Sequence, residues 1–253
     1  MTDWNAELYL RFKEQRTQPA RDLAVRLQGV TPARAADIGC GPGNSTAVLQ
    51  AAFPEAYIRG VDTSVAMLEK ARSAHPELEF ALCDARELES GWDLLFSNAC
   101  LQWIPDHETL LPGLMDKLNP GGTLAVQMPV NGEEPLFRII REVTAEPEWG
   151  FAATVLEHND VRALEDYHAI LSGCAADYDI WETVYHHRMP SHEAMLEWVK
   201  STRLRPYLTA LDEMGQTAFL AELLHRVKAV YTPLTDGQVL LRFRRLFFTA
   251  RKS

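Results

Sequence analysis

The sequence predicts an α/β protein organised on a mostly parallel sheet, and three observations carry that expectation. Between Ala33 and Met128, short apolar runs alternate with helical patterns, as in successive strand–helix–strand units. The first run leads into a glycine-rich turn, Gly39-Cys-Gly-Pro-Gly43, which opens a helix. Acidic residues then stand at the ends of the next two runs, Asp62 and Asp84, so chemistry-bearing groups gather along one edge of the sheet.

Taken in order, Ala33 to Ile38 reads as the first strand, and Asn44 to Ala52 as a helix opened by an Asn/Ser/Thr cluster suited to capping. Ala56 to Val61 is a second strand ending at Asp62. It is followed by a helix from Thr63 to Ala74 that should turn Val65, Ala66, Met67, Leu68 and Ala71 inward. Leu78 to Leu82 and Trp92 to Phe96 are the third and fourth strands. Thr123 to Met128 is the fifth, introduced by the turn Asn119-Pro-Gly-Gly122. Ahead of this core, in residues 1–30, Trp4, Leu8 and Phe12 recur at helical spacing with Tyr9 beside them. That helix would cover a sheet edge or act as a lid over the core at 31–130. Helical patterns at 131–177 and 191–235 are expected to be cap insertions. The segments 178–188 and 238–250 alternate well enough to close the sheet, antiparallel at its final edge.

Composition bounds the function. With 253 residues, 47% of them apolar and 24% charged, the chain suits one large domain with a sizeable core. Thirty-five acids against twenty-five bases give a charge of −10, a mean field of the wrong sign for nucleic acid or anionic lipid. No apolar run reaches the roughly 18 residues of a membrane span. Asp3, Asn5 and Glu7 do not fit a basic-then-apolar leader, so a cytoplasmic location is expected. Cys40, Cys83, Cys100 and Cys174 are scattered, with no pairing at zinc spacing; no metal and no disulfide are expected.

A dinucleotide-binding turn would place its third glycine at position 44, where this chain has Asn44, and Pro42 stiffens the loop; a nicotinamide dehydrogenase is therefore disfavoured. Asp62 lies about 20 residues beyond the turn, where a carboxylate can accept both hydroxyls of a ribose. Asp84 is placed to accept from the exocyclic amine of an adenine. Alone, each feature would read as a structural turn or a solvated cap. Together they favour a nucleoside site.

The series Asp37-Ile-Gly-Cys-Gly-Pro-Gly43, Val61-Asp62, Cys83-Asp84, Asn98-Ala99 and Asn119-Pro-Gly-Gly122 resembles the ordered motifs of the class I S-adenosylmethionine-dependent methyltransferases. The resemblance implies a Rossmann-like, seven-stranded, mostly parallel sheet with an antiparallel edge strand and a helical substrate cap. It implies S-adenosylmethionine as cofactor, with the Gly39 and Gly41 backbone at the methionine part, Asp37 ordering the turn, and Cys40, Asn44 and Ser64 among the cofactor-binding residues. Asp62 would serve the ribose, Met67 the adenine face, Asp84 and Ala85 the base edge, and Asn98 and Ala99 the sulfonium. A narrower likeness runs through Asp3-Trp4-Asn5, Asn98-Ala-Cys-Leu-Gln-Trp103, Ala125-Val-Gln-Met-Pro129, Met189-Pro-Ser-His192 and Leu204-Arg-Pro206. It is to a group within that family that methylates a carboxylate of a small tricarboxylic acid. Cys100 and Val130 depart from that group's pattern, where a serine and an acid are expected. Another carboxylic acid, an acyl-carrier-bound malonyl group, or a non-catalytic cofactor-binding role stay open at this level.

A carboxylate is already ionised at neutral pH, so its methylation needs positioning rather than a general base. A tricarboxylate needs cationic clamps, and guanidinium suits them best. Arg205 is the first expectation and Arg16 the second, with Tyr167, Tyr185, His186 and Tyr207 as hydrogen-bond donors and Trp103 positioned to face the sulfonium or pack beneath the cap. His186 and His187 are expected to be exposed at a strand end. Arg242, Arg244 and Arg245 alternate along the last strand and are expected to be structural, facing water or acids.

Overall fold

The computed structural model describes residues 6–151, 161–200 and 203–253, with side chains described from Glu14 onward. Helix α1 (Ala6–Arg26) precedes strand β1 (Arg34–Ile38), helix α2 (Asn44–Ala52), β2 (Tyr57–Asp62), α3 (Val65–Ala74) and β3 (Glu79–Leu82). Then follow β4 (Trp92–Asn98), a 3-10 turn at Leu101–Trp103, α4 (His107–Lys117) and β5 (Leu118–Pro129). The remainder comprises α5 (Pro135–Ala145), α6 (Leu164–Cys174), β6 (Asp177–Met189), α7 (His192–Lys200), α8 (Arg205–Ala210), α9 (Glu213–Val230) and β7 (Val239–Arg251). Of the anticipated helix at the start of the chain, Trp4 lies outside the described residues.

The seven strands form one sheet in the order β3-β2-β1-β4-β5-β7-β6. The pairs β1–β2, β1–β4, β2–β3 and β4–β5 are parallel, and β7 runs antiparallel to β5, with Gln127 opposite Phe247 and Pro129 opposite Arg245. Strand order reverses between β1 and β4, which opens a crevice at their carboxyl ends. Strands covered on both faces need near-continuous apolar sequence, and β4 supplies it: Trp92, Leu94, Leu95 and Phe96 are fully buried. β4 continues two residues beyond its expected end, making Asn98 its last residue.

By contact the chain divides into two units, Met1–Pro129 with His158–Thr183 and Arg245–Ser253, and Val130–Glu157 with Val184–Arg244. In the first, α1 packs on α2 and β5, and α4 on α6. Helix α6, within a segment anticipated as cap, thus packs beside the sheet's own helices. In the second, α9 packs against α5 and α7, around an aromatic cluster in which Phe219 meets Trp149 at 5.2 Å and Phe151 at 5.3 Å.

Three expectations are corrected here. Val65 and Met67, expected to face inward, are 55% and 40% exposed, and Ala66 is exposed too. They form the first turn of α3, which has not yet come down onto the sheet; only Leu68 and Ala71 reach the core. His187, expected to be exposed, is buried, its ring 5.0 Å from Trp198 and 5.8 Å from Phe243. Arg245, expected to face water or acids, is 5% exposed and so does not face water; it lies on the same face of β7 as Phe243 and Phe247. Its neighbour Arg242 does pair with an acid, Glu134, at 2.6 Å.

Candidate active site

The site grows from the end of β1. Gly39, Gly41 and Gly43 all take positive φ (71°, 53° and 89°), conformations that side-chain-bearing residues rarely adopt. The loop thereby doubles back onto β2, where the Val61 carbonyl accepts from both the Gly39 and Cys40 amides at 2.8 and 3.0 Å. Behind the loop, Asp37 is fully buried and its Oδ2 accepts from the Ser45 and Thr46 hydroxyls, each at 2.7 Å, tying β1 to the start of α2. Burial raises its carboxyl to about 6, against the lowering effect of those two hydroxyls.

Asp62 is the hinge of the arrangement. Its Oδ2 accepts from the Gly41 amide at 2.9 Å and its Oδ1 from the Ser64 amide at 2.8 Å, so one carboxylate fixes both the glycine loop and the entry to α3. Ser64 then caps that helix, accepting from the Met67 amide at 3.3 Å. Each Asp62 oxygen keeps a further lone pair for a ligand. At the end of β3, Asp84 Oδ1 accepts from the Arg86 amide at 2.8 Å, and the Arg86 guanidinium reaches the Pro105 carbonyl at 3.0 Å, joining two walls of a cavity.

That cavity, of about 480 Å³, is lined by Gly39, Gly41, Asp62, Met67, Asp84, Ala85, Ala99 and Trp103 among the anticipated residues. Trp103 is 41% exposed, with ring surface available to a ligand. Asp37, Cys40, Asn44, Ser64 and Asn98 do not line it. Asp37 and Ser64 hold the loop and helix in place from behind, and Cys40 is buried against Leu68, Ala71 and Phe80. Ile38, Pro42, Thr63, Cys83, Arg86, Cys100, Ile104 and Pro105 complete the lining; the sequence assigns none of them to the cofactor, though Cys100 stands out in it as a departure from the group's pattern near the substrate side. The Ile104-Pro105 pair, where an apolar run ends in an extended dipeptide, was the one available signal. A wider, more open groove of about 920 Å³ lies between the end of α1 and α2, lined by Leu27, Val30, Ala51 and Phe53 away from any of this chemistry.

The thiols beside the cavity are chemically quiet. Burial, with the Asp62 and Asp37 charges adding to it, pushes Cys100 up to about 12, and burial first and the same two charges next raise Cys40 further. Both remain protonated and poorly nucleophilic at neutral pH. A buried network braces the opposite wall. His107 Nε2 meets the Leu101 carbonyl at 2.9 Å, and His107 Nδ1 meets the Tyr167 hydroxyl at 2.8 Å. Because the carbonyl can only accept, Nε2 carries the proton and the Tyr167 hydroxyl donates to Nδ1. Tyr167 is fully buried, and its hydroxyl is engaged in this brace.

The other residues expected to contact substrate are found on α1 and in the second unit. Arg16 is half-buried on α1. In the second unit, Tyr207 is buried, its ring edge-on to Phe151 at 4.9 Å. Tyr185 stacks on His187, His186 is exposed on β6, and Arg205 is exposed at the first position of α8. Among the described residues no group of three or more potential metal ligands occurs, and no helix is long and apolar enough to cross a membrane.

Sequence comparison extends the geometry. Residues 35–122 match the family profile of a methyltransferase domain. Over its full length the chain is 47% identical to trans-aconitate 2-methyltransferase of Methylobacterium radiotolerans and 44% identical to that of Escherichia coli O157:H7, each relative also covered completely. The chain belongs to the trans-aconitate 2-methyltransferase family. Solved structures similar to this family member include geranyl diphosphate C-methyltransferase from Streptomyces coelicolor, with a TM-score of 0.56 at 14% identity, covering 100% of this chain and 84% of that one. Another is a phosphoethanolamine N-methyltransferase of Haemonchus contortus, with a TM-score of 0.53 at 20% identity, covering 88% of this chain and 49% of that one. At such identities they establish the shared class I methyltransferase fold.

Proposed function

We propose that the chain transfers the methyl group of S-adenosylmethionine to a carboxylate of trans-aconitate, giving a monomethyl ester and S-adenosylhomocysteine. The observation that carries this reading is Asp62. Its two oxygens organise the glycine loop and the cap of α3 while facing the cavity, as a site for a ribose diol requires. Full-length family membership supplies the acid.

The residues present fit the cofactor. Gly41 has open space where a side chain would begin, so backbone can approach a ligand closely, and Asp84 and the Ala85 amide lie beside Met67 for the base. When bound, the cofactor supplies an electrophilic methyl on a cationic sulfur. This chain's part is to hold and orient. Asp62 takes the ribose hydroxyls, Met67 packs on the adenine, and the Trp103 ring face favours positive charge. Asn98 and Ala99 close the β4 side. The protonated Cys100 stays out of competition as an acceptor. An ionised acid needs no base, so rate comes from alignment and removal of water from the attacking oxygen. We further propose Arg205 and Arg16 as carboxylate clamps; Arg205→Ala should raise KM for the acid and leave cofactor affinity unchanged.

The test is a panel of carboxylic acids, including trans-aconitate, citrate, cis-aconitate and malonyl-acyl-carrier protein, assayed with methyl-labelled cofactor. Preferential labelling of trans-aconitate supports the reading; labelling of another acid alone retires the substrate assignment.

A further inference from the structure

Gln127, near the carboxyl end of β5, is fully buried, yet neither its Oε1 nor its Nε2 has a hydrogen-bond partner among the described residues. In register beside it on β4 is Asn98, whose Oδ1 is also buried and without a partner among the described residues. Residues in register on adjacent strands project to the same face, so three unsatisfied amide atoms share one patch. Folded proteins pair nearly all such atoms, and an exception calls for an explanation. The Gln127 carbonyl is already paired, accepting from the Ala99 amide at 2.9 Å.

Position selects the ligand, given the methyltransferase reading above, on which this inference rests. Along the sheet edge come Asp84 after β3, Asp62 on β2, the glycine loop after β1, then Asn98 on β4 and Gln127 on β5. The nucleoside acids lie on one side of the glycine loop and the two amides on the other, strands being about 4.8 Å apart. With adenosine over β2 and β3, the amides stand where the methyl acceptor must be. Arg245 joins them. It faces Pro129 across the β5–β7 ladder, two residues along β7 from the partner of Gln127, so it projects to the same face, and it is buried.

We propose that Gln127, flanked by Asn98 and Arg245, is the specificity-determining residue for the acid, its Nε2–H donating to a carboxylate oxygen of the substrate. The chemistry suits the task. The neutral amide orients an oxygen while withdrawing less electron density from it than a guanidinium would.

Gln127→Met tests this, because it keeps the size and deletes both polar atoms. The expected result is a melting temperature no lower than wild type and unchanged calorimetric affinity for S-adenosylhomocysteine. KM for the acid should rise about tenfold or more, the scale of a lost hydrogen bond to a charged group. Gln127→Glu, which places a negative charge against the substrate, should raise it further, and it carries the test alone if the methionine variant does not fold. A wild-type KM and kcat in either variant overturns the proposal, as does a loss of S-adenosylhomocysteine affinity parallel to the rise in KM. All arms use the acid that the wild-type chain methylates best. Failure with trans-aconitate therefore counts against the substrate reading, and an unchanged KM counts against Gln127.

Discussion

Cys100 occupies the space in which a side chain on Gly39 would begin: a Cβ built on Gly39 overlaps both Sγ and Cβ of Cys100. The β1 loop and the residue just after β4 are thus packed to the limit at the point where strand order reverses. Gly39 also sits at φ 71°, which costs an L residue roughly 1–2 kcal/mol by itself. Gly39→Ala should lower the melting temperature and abolish measurable cofactor binding. Adding Cys100→Gly removes the overlap and should recover part of the stability. A single Gly39→Ala variant with wild-type affinity would show that the loop tolerates displacement.

Asp62 does two jobs with one carboxylate. Asp62→Ala should weaken S-adenosylhomocysteine binding by about 1.5–3 kcal/mol, the value of charge-assisted hydrogen bonds to a ligand, with further loss because the Gly41 and Ser64 amides lose their acceptor. Asp62→Asn keeps one acceptor oxygen and should fall between. Calorimetry decides, and equal affinities across the series would remove Asp62 from the ribose.

Asp37 predicts a pH dependence of stability. Its folded-state value of about 6 lies above the ordinary 3.8, so the folded protein holds this proton more tightly than the unfolded chain does. The associated stability is fully present below about 4 and is lost as pH rises through 6. Two units correspond to about 3 kcal/mol. Relative to wild type, Asp37→Asn should therefore gain stability on going from pH 4 to pH 8. Thermal melts at the two pH values measure the difference; parallel profiles for the two proteins would show that the carboxyl is not the titrating group.

Tyr167 separates a structural from a substrate role. Tyr167→Phe leaves His107 Nδ1 buried without its donor, a cost of about 1–3 kcal/mol, and should lower the melting temperature while KM for the acid stays at the wild-type value. A raised KM with unchanged stability would return Tyr167 to the substrate.

The sheet was legible in the sequence because parallel strands buried on both faces must be short and apolar, and each was followed by a turn or a helix. The cofactor edge was legible because Gly39, Gly41, Asp62 and Asp84 recur at strand ends. What escaped was orientation. Met67 reads as core by helical spacing, but the first turn of α3 overhangs the sheet edge and leaves it at the cavity. Arg245 alternates with Arg244 and Arg242 as on a solvated strand, yet from Arg245 to Phe248 every residue of β7 is buried, and charge pattern alone does not show that. Gln127 carries no composition signal at all; only its burial beside Asn98 marks it.

The chemical outcome is the most direct test. The chain should be incubated with trans-aconitate and methyl-labelled S-adenosylmethionine, and the product treated with mild base. An ester made on a carboxylate releases its label as methanol, and S-adenosylhomocysteine accumulates in equal amount; that is the predicted result. Label that stays bound to the product after base treatment, or no label transferred to the acid, contradicts carboxyl methylation.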